Sequence, residues 1–331
     1  MNRVECLKGL IIFTLLLVQS ALAITIPEKP YVPAVSEAVR AIVQRVTSGE
    51  EPQALAELKP LADAGDESAT ALIAEINIIG LFGQAVNPQV GCNYAARIAN
   101  ARPDALHNLA NCFQFGSGRP KDPVRARALY RRAAEGGFRR SLCAYGNMLI
   151  AGEGGPQNAG EGMRLCRFAA VEGDANAQTD YGGYLLTGVG GERNPTTARF
   201  MLEQAVQQKQ RNAAFLLGQI YQKGDGVEAS EAQARAWYVK SHEWGRPDAA
   251  HQAALSYVRS GYITKGDQTF VKAPDLEQAV RWFTVSSQTH PEPAERARAA
   301  ELIENLKVLI EAARQSEAAT RASGSGSGGE N

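Results

Sequence analysis

The residues that carry chemistry in proteins are present in this chain, but not at the spacings their chemistry requires. Four histidines, His107, His242, His251 and His290, and five cysteines are the ligands a zinc ion would recruit. Zinc sites draw on closely spaced ligand pairs, and no two of these residues stand at finger-like spacing. The sequence therefore predicts no metal and no cofactor. Nucleophilic and hydrolytic kits are also missing: there is no HExxH, GxSxG, Walker A or paired CxxC pattern. No serine is followed three residues later by lysine, and neither Ser-Asp-Asn nor Lys-Thr-Gly occurs. The expectation is a protein that is not an enzyme.

The cysteines read better as disulfides. Cys92 and Cys112 lie about ten residues either side of a turn near Arg102, and Cys143 and Cys166 flank a loop near Gly155 in the same way. Antiparallel pairing of the flanking helices would bring each pair level. Each bridge would close a loop of about 20 residues and add roughly 3 kcal/mol. The alternative is four buried thiols, if helix rotation turns either pair apart.

Charge gives one further candidate. Residues 119–140 hold Arg125, Arg127, Arg131, Arg132, Arg139 and Arg140 with few acids. Such a run is either a docking patch for an acidic partner or a polysaccharide, or a solvated face. The chain as a whole has a formal net charge of zero, which argues against a nucleic-acid binder.

Regularly spaced glycines show which elements must position these groups. Gly80, Gly116, Gly152, Gly188 and Gly224 recur at 36-residue steps, and so do Gly118, Gly154, Gly190 and Gly226. Two small-residue columns keep the same step: Ala69, Ala105, Ser141, Ala177, Ala213 and Ala249, and Ala110, Gly146, Gly182, Gly218 and Ala254. A fixed period of this length is a repeat array. Within each unit a first helix ends at the paired glycines. A second helix opens at Asp122, Asn158, Asn194 or Ser230, all residues that cap exposed first-turn amides. Gly116 and Gly118 read as loop breakers. Gly146, Gly182 and Gly218 fall inside a helix, where glycine costs about 1 kcal/mol, and read as points of close helix approach.

The remaining segments frame the array. Residues 1–23 have the basic flank, short apolar run and Ala21-Leu22-Ala23 ending of a secretory signal peptide. Three prolines make 24–35 an extended lead-in, and 36–65 a capping helix and half-repeat. The array covers 66–290, a capping helix 291–322, and a flexible tail 323–331. From Ser230 the next cap position, Asp275, arrives nine residues late, so the loop 262–274 carries an insertion. It is either a binding feature or a cover for the end of the stack.

The unit resembles the Sel1-like repeat, a relative of the tetratricopeptide repeat. LLGQIYQKGDGV with Trp237-Tyr238 carries the likeness, as do Phe113, Gly116, Gly118, Asp122, Ala126, Tyr130 and Ala133-Ala134-Glu135. Cys166 stands where the second-helix aromatic is expected, and Gly160 and Gly183 loosen two helices. The resemblance implies an all-α, right-handed α-solenoid of about six 36-residue helix-turn-helix repeats with capping helices. It also implies a non-enzymatic adaptor of the kind often found in bacterial envelopes, and the leader places the chain in the periplasm if the source is a double-membrane bacterium, or secreted. Its partner would be a protein or peptide of the envelope, with a glycan as the second choice, lying along the concave face. Exposed first-helix positions there are Asn108, Asn111, Asn147, Asp180, Gln219, Lys223 and Gln252, with Phe115 as an apolar contact. Amides suit that role because each offers a donor and an acceptor to a peptide backbone. The rival class is a cell-wall-associated or β-lactam hydrolase, to be separated by a turnover assay.

Overall fold

A computed structural model of the chain describes residues 24–49, 51–265 and 268–324. The expected leader and residues 325–331 of the expected tail lie outside those residues, while Ser323 and Gly324 end the last helix. Contacts divide the chain into two compact units, one reaching to Ala177 with Val189–Gly191, the other Gln178–Gly188 with the chain from Glu192.

In the first unit, residues 24–36 have no regular structure. Helix α1 (Glu37–Thr47) begins behind Ser36, whose hydroxyl accepts the Val39 amide at 3.3 Å. The half-repeat is broken into α2 (Glu51–Ala56) and α3 (Leu58–Asp63). Pro60 explains the break: it has no N–H for the Ala56 carbonyl, and its ring would strike that carbonyl. Three hairpins follow, α4 (Glu67–Ile79) with α5 (Pro88–Ile98), α6 (Pro103–Phe115) with α7 (Pro123–Glu135), and α8 (Arg140–Ala151) with α9 (Ala159–Val171). From α4 to α9 each helix packs on the next. The division between units falls inside α10 (Ala175–Thr187).

The second unit continues with α11 (Pro195–Gln207), α12 (Arg211–Lys223), α13 (Glu231–Glu243), α14 (Ala249–Ser260), α15 (Ala273–Thr289) and α16 (Pro293–Gly324). Here too each helix packs on its successor. The fold class is the expected one, a helical-hairpin solenoid. Among the described residues strands occur in the insertion, which forms an antiparallel hairpin, β1 (Tyr262–Lys265) and β2 (Gln268–Val271), with Tyr262 opposite Val271. Lys272 N–H closes its base on the Gly261 carbonyl at 2.8 Å. Asp275 is therefore not a cap. The helix starts at Ala273 behind Lys272, and Asp275 lies in its first turn, where its charge suits the amide end of the dipole.

The cap column is real in the other repeats. Asp122, Asn158, Asn194 and Ser230 accept the amides of Arg125, Glu161, Thr197 and Gln233 at 2.9–3.3 Å. The small-residue columns are buried as well: Ala69, Ala105, Ser141, Ala177, Ala213 and Ala249 show 2% exposure or less. A Cβ on Gly218 would stand 2.5 Å from Tyr238 Cε1, one on Gly146 2.7 Å from the Gly162 oxygen, and one on Gly182 2.9 Å from Leu202 Cγ. No side chain fits in such gaps, so these helix-interior glycines are close-packing positions.

The loop glycines need correction, because they do more than end a helix. Gly118, Gly154 and Gly190 press on the first turn of the preceding hairpin's second helix. A Cβ on Gly118 would come within 2.5 Å of the Gln89 amide nitrogen, and one on Gly154 would collide with the Pro123 carbonyl. One on Gly190 would lie 2.6 Å from Met163 Cγ. Each also has a positive φ of 70–75°, which glycine adopts without strain.

These contacts set opposite expectations for two glycines of the second unit. Gly218→Ala drives a methyl into the Tyr238 ring and should destabilise by about 1–3 kcal/mol. Gly183→Ala meets only Leu216 Cδ1 at 3.7 Å and should stabilise by roughly 0.5–1 kcal/mol, because glycine costs a helix interior that much. Urea unfolding midpoints of the two variants check the signs.

Candidate functional site

Taken at the 36-residue step, equivalent first-helix residues form columns in the sequence. One column contains Leu72, Asn108, Ala144, Asp180, Leu216 and Gln252, and a second contains Glu75, Asn111, Asn147, Gly183, Gln219 and Leu255. The amides chosen from the sequence all belong to these columns.

In the first unit Asn108, Asn111 and Asn147 are half-buried and already engaged. The Tyr130 hydroxyl, buried at the hairpin interior, lies 2.5 Å from Asn111 Oδ1 and 2.7 Å from Gln114 Oε1. Asn147 Oδ1 sits 3.3 Å from Cys166 Sγ. Asn108 bonds the Glu75 carboxyl, which burial and the Asp104 charge push above its ordinary range, against Asn108, Arg140 and Arg102. Phe115 ends its helix 68% exposed, with Ile79 one repeat earlier at 64%. This unit's face thus has polar groups set by internal hydrogen bonds and an apolar rim.

In the second unit Asp180, Gln219 and Gln252 are half-buried and Lys223 is exposed. Burial first, then the Asp180 carboxylate, pushes the Tyr184 hydroxyl up to about 12.

The arginine run does not form one free basic face. Arg127 donates to the carbonyls of Glu153 (3.3 Å) and Pro156 (2.7 Å), holding the next hairpin's loop. Arg131 pairs with Glu135 at 2.8 Å and Arg125 with Asp122 at 3.2 Å. Arg139, largely buried, lies over the Phe168 ring at 5.1 Å. Arg125, Arg132 and Arg140 are exposed, and Arg132 reaches Asn100 at 3.3 Å.

Both cysteine pairs read from the sequence lie at disulfide distance, with Cα–Cα separations of 6.1 Å for Cys92 and Cys112 and 4.1 Å for Cys143 and Cys166. The first pair joins α5 to α6 across hairpins; the second joins α8 to α9 within one. Among the described residues no group of three His, Cys, Asp or Glu could hold a metal ion. None of their helices is long and apolar enough to cross a membrane.

Tyr31, Glu75, Arg102 and Asp104 belong to none of the motifs in the sequence. Arg102 and Asp104 form a buried fork, Nε to Oδ1 at 3.2 Å and Nη2 to Oδ2 at 2.7 Å. With Glu75, Leu72, Val39 and residues 33–35 they line a cavity of about 260 Å³. A signal existed: Arg246 and Asp248, four repeats later, form the same fork.

A family model described as Sel1 repeat matches residues 103–138, 140–174, 175–209, 211–241 and 254–287, about half of the chain. A Sel1 repeat protein from Oxalobacter formigenes is 23% identical, with a TM-score of 0.59 over 78% of this chain and 100% of its own. A second similar structure is c5321, a protective antigen present in uropathogenic Escherichia coli strains and displaying an SLR fold. It is 20% identical with a TM-score of 0.52, over 71% of this chain. This chain spans only 48% of that antigen's length. At these identities the likeness is one of fold. A search of curated proteins found no match.

The histidine considered as a metal ligand has a structural place instead. His107 is enclosed by Tyr130 and Phe138, ring centroids 5.3 Å away, with Nδ1 2.9 Å from Ser141 Oγ. Burial, then the Arg140 charge, lowers its pKa from 6.5 to about 4. Between those values the unfolded chain holds a proton that the folded chain refuses. Stability present above pH 6.5 is therefore lost as pH falls towards 4, by about 3 kcal/mol in all. His107→Gln should flatten that part of the stability–pH curve, and an imidazole titrating near 6.5 by NMR would contradict the assignment.

Proposed function

The chain belongs to the Sel1 repeat family, and from that premise we propose an exported, non-enzymatic adaptor that holds an extended segment of a partner protein against its first helices. Repeats of this family commonly mediate protein–protein interaction, and stacked hairpins offer a partner many equivalent positions at once. The observation that carries the reading is the first-helix face itself. In the first unit its amides, Asn108, Asn111 and Asn147, are half-buried and positioned by neighbours, and Phe115 stands 68% exposed at its rim. Preorganised amides lose little freedom on engaging a peptide backbone, and an exposed aromatic is the side chain on which interface energy concentrates.

The envelope location rests on the leader expected over residues 1–23 and on two cysteine pairs at disulfide distance, which an oxidising compartment keeps joined. The partner is a protein or peptide of that compartment.

Photo-crosslinking residues placed at 115 and 147 should capture a partner in cells, whereas position 131, where Arg131 pairs with Glu135 on α7, should not. Products from 131 alone would move the site to the second helices and refute the reading. Phe115→Ala should weaken the captured complex about tenfold, near 1.4 kcal/mol, without moving the melting temperature. N-terminal sequencing of exported protein should begin at Ile24; an uncleaved chain in the cytosol would overturn the location.

A further inference from the structure

Residues 24–35 lie across the turns that lead into the first helices of the first unit, held by groups from successive hairpins. Arg102 forks onto Asp104 and donates its remaining Nη1 to the Ala34 carbonyl at 3.0 Å. The Tyr31 hydroxyl donates to the same carboxylate at 3.3 Å. The Tyr31 amide donates to the Gly137 carbonyl at 2.8 Å, and its ring meets Phe138 edge-on at 6.4 Å. Arg139 donates to the carbonyls of Pro27 at 2.9 Å and Glu28 at 3.2 Å. Arg164 reaches the Ile24 carbonyl at 3.3 Å. Gly137 must be bare for the segment to pass, since a Cβ there would stand 3.0 Å from the Tyr31 nitrogen.

Five of these seven contacts read the segment's main chain, and the other two hold the Tyr31 side chain. Recognition through carbonyls and amides is how a protein accepts an extended peptide from more than one source. Three further observations separate a binding site from a fixed strap. The segment buries little: Ile24 is enclosed, but Val32 is 77% and Val35 45% exposed. The resident leaves the site unsaturated: the Glu172 carboxylate lies 3.8 Å from Arg139 Nε, but Nη1 is buried with no hydrogen-bond partner. And the fork does not depend on a strap. In the second unit Arg246 and Asp248 form it with Asn212 Oδ1 accepting Nη1 at 3.0 Å, a side-chain amide oxygen where the first unit uses a peptide carbonyl.

We propose that Arg102, Asp104, Gly137 and Arg139 form a second binding site, for an extended proline-containing peptide of a partner protein, and that residues 24–35 are its resident, displaceable occupant. Pro27, Pro30 and Pro33 hold the resident extended before it docks, which lowers the ordering cost. A partner peptide that places a carboxylate near Arg139 gains an acceptor for the unpartnered Nη1, an advantage the resident lacks. The site lies on the turns between hairpins and does not rest on the first-helix reading.

The test uses the full chain with a protease site inserted between Val35 and Ser36, cut after folding so that only these contacts hold the N-terminal piece. Gel filtration after dilution should separate the piece while far-UV circular dichroism stays unchanged. A fluorescein-labelled peptide ITIPEKPYVPAV should then bind the cut chain, and a scrambled peptide should not. Arg139→Ala should weaken binding at least tenfold and Arg132→Ala should leave it intact. In the uncut wild-type chain the Tyr31 amide should exchange with deuterium at least a hundredfold faster than amides in the middle of α6. The proposal is overturned if the piece never leaves, if the cut chain unfolds on losing it, or if the emptied chain ignores the labelled peptide. Protection of the Tyr31 amide equal to that of α6 would overturn it without any variant.

Discussion

How closely one hairpin can approach the next is set by atoms that are missing. At Gly118, Gly154 and Gly190 the loop between helices rests on the opening turn of the second helix before it, with no room for a Cβ. Pro88 and Pro123 begin two of those helices, and a proline there has no N–H to leave unsatisfied. Within hairpins Gly146 and Gly218 bring first and second helices together in the same manner. Interiors pack to the density of organic crystals, so a spacing fixed this way repeats from unit to unit. Alignment of side chains into columns, and with it any surface a partner could read, follows from that repetition.

The polar side chains work within the same frame. A loop pressed against a neighbouring helix brings carbonyls that need donors, and Arg127 supplies them to Glu153 and Pro156; Arg119 reaches from its own loop to the Cys92 carbonyl of α5, and Arg102 to Ala34 of the lead-in. A guanidinium suits this because its rigid fork can satisfy a carboxylate and a carbonyl together. Part of the basic run from 119 to 140 is therefore joinery between hairpins, while Arg139 ties down the lead-in and keeps a buried donor spare.

The period, the caps, the helix-interior glycines and the cysteine pairs were legible in the sequence because each is a local rule repeated in register. What escaped depended on contacts between distant residues. The arginine run looked like a single face, but positions two apart on a helix point to different sides, so Arg125 and Arg127 reach different partners. Asn111 looked free because its tie to Tyr130 lies 19 residues away. The insertion read as a loop because its four-residue strands are too short to show a pattern. The Arg102 fork was the hardest to see. Its meaning depends on the lead-in segment, 68 residues earlier in the chain at Ala34.

Both cysteine pairs fall in the first unit, and no cysteine follows Cys166. A crosslink restricts the unfolded chain only within the loop it closes, and hairpins in such an array lean on their neighbours alone. Disassembly thus acquires a direction. A protease or unfolding motor engaging the carboxyl-terminal end could strip hairpins one after another as far as Cys166, where a covalent knot replaces a weak interface. From the other end it would pass the helices up to Ile79 and then meet both bridges. The oxidised chain is thus asymmetric along its length, bridged only between Cys92 and Cys166.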